Sequence, residues 1–157
     1  MAAERLSGST CPGLAAEELD PGALTRLASE LDSDELARSI AQTYLRMLDS
    51  RLTRAASALE RRDEIAAMDV LLSLRVSSAT VGLVRLESAV RCVIDAVRRG
   101  EHELARQRGT SMVGLADDAR AALSTHLEVR DDARPGACLE ETRLPVPHLR
   151  PAADSSF

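Results

Sequence analysis

Apolar residues recur at three- and four-residue spacing along most of this chain, and each such stretch is bracketed by residues that start or stop helices. Asp20-Pro21 opens a short segment through Leu24, Leu27 and Leu31, with an aspartate cap and a proline whose missing N–H costs nothing at a first helical position. Ser33 caps a long second segment, and Asp34 and Glu35 stand against the positive end of its dipole. Leu36, Ile40, Tyr44, Met47, Leu48, Leu52, Ala55 and Leu59 then run down one face. Asp63 caps a third segment that stops near Gly82, a residue suited to the left-handed C-terminal conformation. A fourth runs from Val84 to Arg99, with Leu86, Val90, Val93, Ile94 and Val97 inward, and stops at Gly100. A fifth covers Glu101 to His126, weakened at Gly109 and Gly114, which predicts a bend near Gly109.

Short connections between long amphipathic helices make neighbours antiparallel. The expected fold is therefore all-α: an up-down-up-down antiparallel four-helix bundle with a short N-terminal helix across one end. The bundle is expected over residues 20–127. Residues 1–19 lack any period, and residues 128–157 carry four of the six prolines, so both ends are expected to be disordered. There is no internal repeat.

Composition agrees with helices. Of 157 residues 45% are hydrophobic but only 1% are aromatic, so the core must be Leu, Val, Ile, Met and Ala, whereas strands favour aromatic and β-branched residues. All 20 basic residues are arginine, which reads as a high-GC genome bias. The net charge of −5 argues against nucleic-acid binding, which needs a basic surface. No apolar run reaches the roughly 18 residues of a membrane span, and no signal peptide is evident. Cys11, Cys92 and Cys138 are odd in number and far apart, which predicts reduced thiols and a cytoplasmic setting.

The third segment carries the most specific wording: Leu71-Leu72-Ser73-Leu74-Arg75-Val76-Ser77-Ser78-Ala79-Thr80-Val81-Gly82. It resembles the signature helix of histidine-containing phosphotransfer domains, whose pattern runs roughly A-H-x-L-K-G-x-[SA]-x-x-x-G. Leu74, Arg75, Ser78 and Gly82 match the leucine, the cation, the small residue and the closing glycine. Leu72 falls where the family carries its phosphorylated imidazole, and Val76 on the glycine that leaves room beside it. The resemblance extends over residues 20–125 in the order and spacing of helices. It implies a bundle whose histidine projects into solvent, where a receiver domain docks and exchanges phosphate with its aspartate. Leucine has no nucleophilic nitrogen, so no catalytic residue is expected and only the docking role falls on matching residues.

On a helical wheel, Val70, Leu71, Leu74, Ser78 and Val81 form a core face of this segment. Ile65, Met68, Leu72, Val76, Ala79 and Leu83 lie roughly 100–120° around the helix. With Arg75, the residues Ile65, Met68, Leu72, Val76 and Ala79 are the candidate partner-binding set. An exposed apolar stripe on such a helix usually marks an interface; the competing arrangement buries this helix on more sides, with Leu72 as ordinary core.

Elsewhere the chemistry is sparse. His102, His126 and His148 lack the flanking pattern of a phosphorylated histidine. Glu101-His102-Glu103 point in different directions on a helix and do not make a metal site. No nucleophilic triad, phosphate-cradling loop or paired-cysteine motif can be assembled, so no enzyme activity, metal or cofactor is expected. Pro145-Val146-Pro147 is a weak docking tract. Three functions remain open. The first is a two-component module that binds a response-regulator receiver domain or its hybrid histidine kinase without carrying phosphate. The second is an interaction protein that pairs as a homodimer through its apolar stripe. The third is a phosphotransferase using another histidine.

Overall fold

The computed structural model describes residues 17–133. Of the ends expected to be disordered, 1–19 and 128–157, residues 1–16 and 134–157 lie outside the described residues, and with them His148 and the Pro145 tract. Six helices follow in order: α1 (Ala23–Leu31), α2 (Asp34–Glu60), α3 (Glu64–Val81), α4 (Val84–Arg98), α5 (His102–Gly114) and α6 (Ala116–Asp132). No strand occurs among the described residues.

The punctuation acts where the sequence places it for α2 and α3. Ser33 Oγ accepts from the Leu36 N–H at 3.2 Å, and Asp63 Oδ1 accepts from the Ala66 N–H at 3.0 Å. Gly82 closes α3 at φ +85°. Asp20 acts one turn early: its Oδ1 accepts from the Gly22 N–H at 2.9 Å, and α1 begins only at Ala23. It shapes the turn into the helix and does not cap the helix itself.

Helices α2, α3, α4 and the α5–α6 pair close a ring around one core, and α1 packs against α2 and α3 at one end. The core is aliphatic, with Leu48, Leu71, Leu74, Leu86, Val90, Ile94, Met112 and Leu123 among its fully buried side chains. Helix α6 is tied along α2 by the ion pairs Arg38–Asp131, Arg120–Asp49 and Arg130–Asp34. Such surface pairs each contribute little to stability.

Four expectations are corrected. On α2, Leu36, Ile40 and Met47 face outward, and Ala37, Ala41 and Ala58 complete the buried face. Alanines let α2 approach its neighbours closely, which rotates the larger side chains towards solvent. The fifth segment breaks at Leu115, not at Gly109. Gly109 is buried within α5, where a Cβ would come 2.6 Å from Leu59 Cδ1, so its smallness serves close packing and not a bend. The last helix runs to Asp132 and so carries the bundle past residue 127. Cys92, expected as a reduced thiol, is disulfide-bonded.

The corner between α3 and α4 is the tightest joint. The Asp20 N–H donates to the Gly82 carbonyl at 2.8 Å, which docks the entry to α1 onto the end of α3. A Cβ on Gly82 would lie 2.6 Å from Ala23 Cβ and 2.7 Å from the Asp20 carbonyl oxygen. Both the left-handed backbone and the space therefore demand glycine. Gly82→Ala is expected to destabilise the protein by about 1–3 kcal/mol, read as a drop in the thermal midpoint. Gly114→Ala, with nothing near the added methyl, should be neutral or slightly stabilising; equal losses from both would contradict this account of the corner.

Candidate functional site

Helix α3 buries Ala67, Val70, Leu71, Leu74, Ser78 and Val81 and turns the opposite sector outward. The stripe expected there is present over five of its six positions. Ile65 is 87% exposed, Val76 67% and Leu72 38%; Ala79 is exposed and Met68 is half-buried against the core. Leu83 is the exception: it follows Gly82 outside α3 and is fully buried. The arrangement in which Leu72 is ordinary core is not the one observed.

The patch is wider than the sequence implied, because α2 contributes to it. Ile40 and Met47, 40% and 43% exposed, stand across from α3. Between the two helices runs an open groove of about 580 Å³, with Ile40, Leu72 and Val76 among its walls and Tyr44 and Val81 among its deeper lining. The signal was present in the alanines of α2, which a count of large apolar residues passes over.

Two polar contacts fix this groove. Ser78 Oγ donates its one proton to the Leu74 carbonyl at 2.7 Å, so the 2.8 Å contact with Tyr44 is donated by the tyrosine hydroxyl. Arg51 Nη1 donates to Ser77 Oγ at 2.9 Å, and its Nη2 lies 3.9 Å from Met47 Sδ. On the other flank of the stripe, Arg75 Nε donates to Glu87 Oε1 of α4 at 2.9 Å. The cation beside Leu72 is thus already paired.

Among the described residues, no histidine lies on this face. His102 begins α5, with Nε2 3.5 Å from Glu64 Oε1 at the start of α3, two turns from Leu72. His126 is on α6; burial, helped by the charge of Arg130, lowers its pKa and favours the neutral ring. Among the described residues, no three His, Cys, Asp or Glu side chains converge as a metal set.

No family model matches the sequence, and no curated protein does either. Among solved structures, the crystal structure of histidine-containing phosphotransfer protein B (HptB) from Pseudomonas aeruginosa PAO1 is similar, with a TM-score of 0.59 and 20% identity over 77% of this chain and 100% of that one. The fold is that of a histidine-containing phosphotransfer protein. Within the phosphotransfer fold, the described residues offer no imidazole on the α2–α3 face. They offer aliphatic surface at Leu72, Val76, Ile40 and Met47, hydroxyls at Ser73, Ser77 and Thr80, and opposite charges at Arg51 and Asp69. Among the described residues, no helix is long and apolar enough to cross a membrane.

Tyr44 is the sole tyrosine and gives this groove its own spectroscopic probe. Burial pushes its pKa from the ordinary 10 up to about 12, only partly offset by the Ser78 hydrogen bond and the Arg51 charge. Because the folded value is raised, the neutral phenol's contribution to stability is complete below pH 10 and is lost as pH climbs from 10 towards 12. Absorbance titration at alkaline pH should place the midpoint near 12 in the folded chain and near 10 in denaturant. A midpoint near 10 in protein that circular dichroism still shows as folded would remove Tyr44 from the buried network.

Proposed function

We propose that this chain is a docking module of a two-component phosphorelay, binding a response-regulator receiver domain, or the hybrid histidine kinase that feeds it, without carrying phosphate. The observation that carries this reading is Leu72: it stands where the resemblance puts the phosphorylated imidazole, on an exposed face of a phosphotransfer fold. With Val76 in place of a glycine, a polar, reactive spot becomes an aliphatic one. The chain is then not an enzyme, and binding requires neither metal nor cofactor. The proposed setting is the cytoplasm, on the ground that ATP-fed kinases and receivers meet there and not on the state of the thiols, since Cys92 is disulfide-bonded.

Burying Leu72 and Val76 on a partner contributes about 1.5–3 kcal/mol apiece before ordering costs. Ile65, Met68 and Ala79 extend the contact along α3, and Arg75 lies at its edge. Paired to Glu87, Arg75 supplies shape and hydrogen-bonding surface more than net charge. A module of this kind occupies a receiver and keeps true phosphotransfer partners from it, or holds receiver and kinase together.

Leu72→Asp separates docking from folding. At an exposed helical position the change should move the thermal midpoint by only a few degrees, since surface substitutions cost about 0.5 kcal/mol. In a binding assay against purified receivers and kinases from the same organism, it should abolish the interaction the natural chain shows, because it puts an unpaired charge in a desolvated contact. Val76→Asp, at the more exposed position, should do the same and guards against a folding loss at residue 72. Folded variants that bind as the natural chain does, or a natural chain that binds none of these partners, would overturn the reading.

A further inference from the structure

The α2–α3 face also bears a pattern that complements itself. Asp69 is exposed and has no hydrogen-bond or ion-pair partner among the described residues. Arg51 is held on Ser77 and likewise has no carboxylate partner among them. Both line the same groove. Asp69 and Ser77 are eight residues apart on α3, about 12 Å at 1.5 Å per residue, so the two charges mark opposite ends of one patch. Leu72, Ser73 and Val76 lie between them.

A two-fold axis through the middle of that stretch exchanges its ends. It sets Arg51 of one copy against Asp69 of the other, twice, and brings the apolar stretch that holds Leu72 and Val76 against the same stretch of the other copy. The same patch supplies projection and recess, since Val76 stands proud beside the groove that Ile40 and Leu72 wall. Isologous contacts require this kind of self-complementarity in shape and charge. We infer that the occupant of this face, in the absence of a regulator, is a second copy of the chain, packed antiparallel across α3. The inference stands independently of which regulator docks. Where both hold, self-association and docking compete for one surface, and dilution frees the docking face.

Sedimentation velocity of the full chain over a dilution series tests this directly, with folding followed by circular dichroism. The natural chain should dissociate from dimer to monomer on dilution. Arg51→Glu and Asp69→Arg should each weaken the dimer by about tenfold or more, and the combined variant should regain most of that loss, as a direct pair requires. Asp69, exposed and unpaired, keeps the test readable if Arg51→Glu lowers stability. A chain that is monomeric at every concentration overturns the proposal. So does a dimer indifferent to both reversals, or reversals that the combination fails to repair.

Discussion

The contact between Tyr44 and Ser78 decides how α3 is rotated in the bundle, and with it which residues reach solvent. Leucines pack against leucines in many registers, but a buried hydroxyl left without a partner costs about 1–3 kcal/mol. Tyr44 finds its acceptor only if Ser78 faces α2, and Ser78 keeps that oxygen available by giving its own proton to the Leu74 carbonyl. In a largely aliphatic core, this polar pair specifies register where hydrophobicity alone does not. With Ser78 inward, Leu72 and Val76 are outward. The Gly82 corner then locks the end of α3 against Asp20 and Ala23, so the helix can neither slide nor rotate.

That orientation gives the surface its character. A phosphoryl-accepting face needs a nucleophile, room beside it and a free cation. In the proposed reading, the positions that the resemblance sets against these hold a leucine, a valine and an arginine already bonded to Glu87. Under the proposed function, each difference would favour desolvated contact over transfer chemistry. The two charges that line the groove, Arg51 and Asp69, have no ion-pair partner among the described residues and stand at the ends of the apolar patch.

Much of this was legible in the sequence because helices advertise their ends. Ser33, Asp63 and Gly82 mark boundaries that hydrogen bonds then confirm, and the period of α3 separates Leu74 and Ser78 from Leu72 and Val76. What misled was side-chain size. Reading large apolar residues as inward assigned Leu36, Ile40 and Met47 to the core, when alanines hold that face of α2. The contribution of α2 to the patch was hidden by the same error. Gly109 and Gly114 looked alike in sequence, yet only packing against Leu59 distinguishes a buried glycine from one at a break. The disulfide at Cys92 left no trace in cysteine spacing, since spacing along the chain says nothing of approach in space.

The central claim is that the face bearing Leu72 and Val76 docks a partner and carries no phosphate. Phosphoryl transfer from a labelled receiver that the chain binds tests it most directly, with the natural chain and a Leu72→His/Val76→Gly variant run side by side. The account predicts acid-labile phosphate on the variant alone. Label on the natural chain, lost when His102 or His126 is replaced, would contradict it.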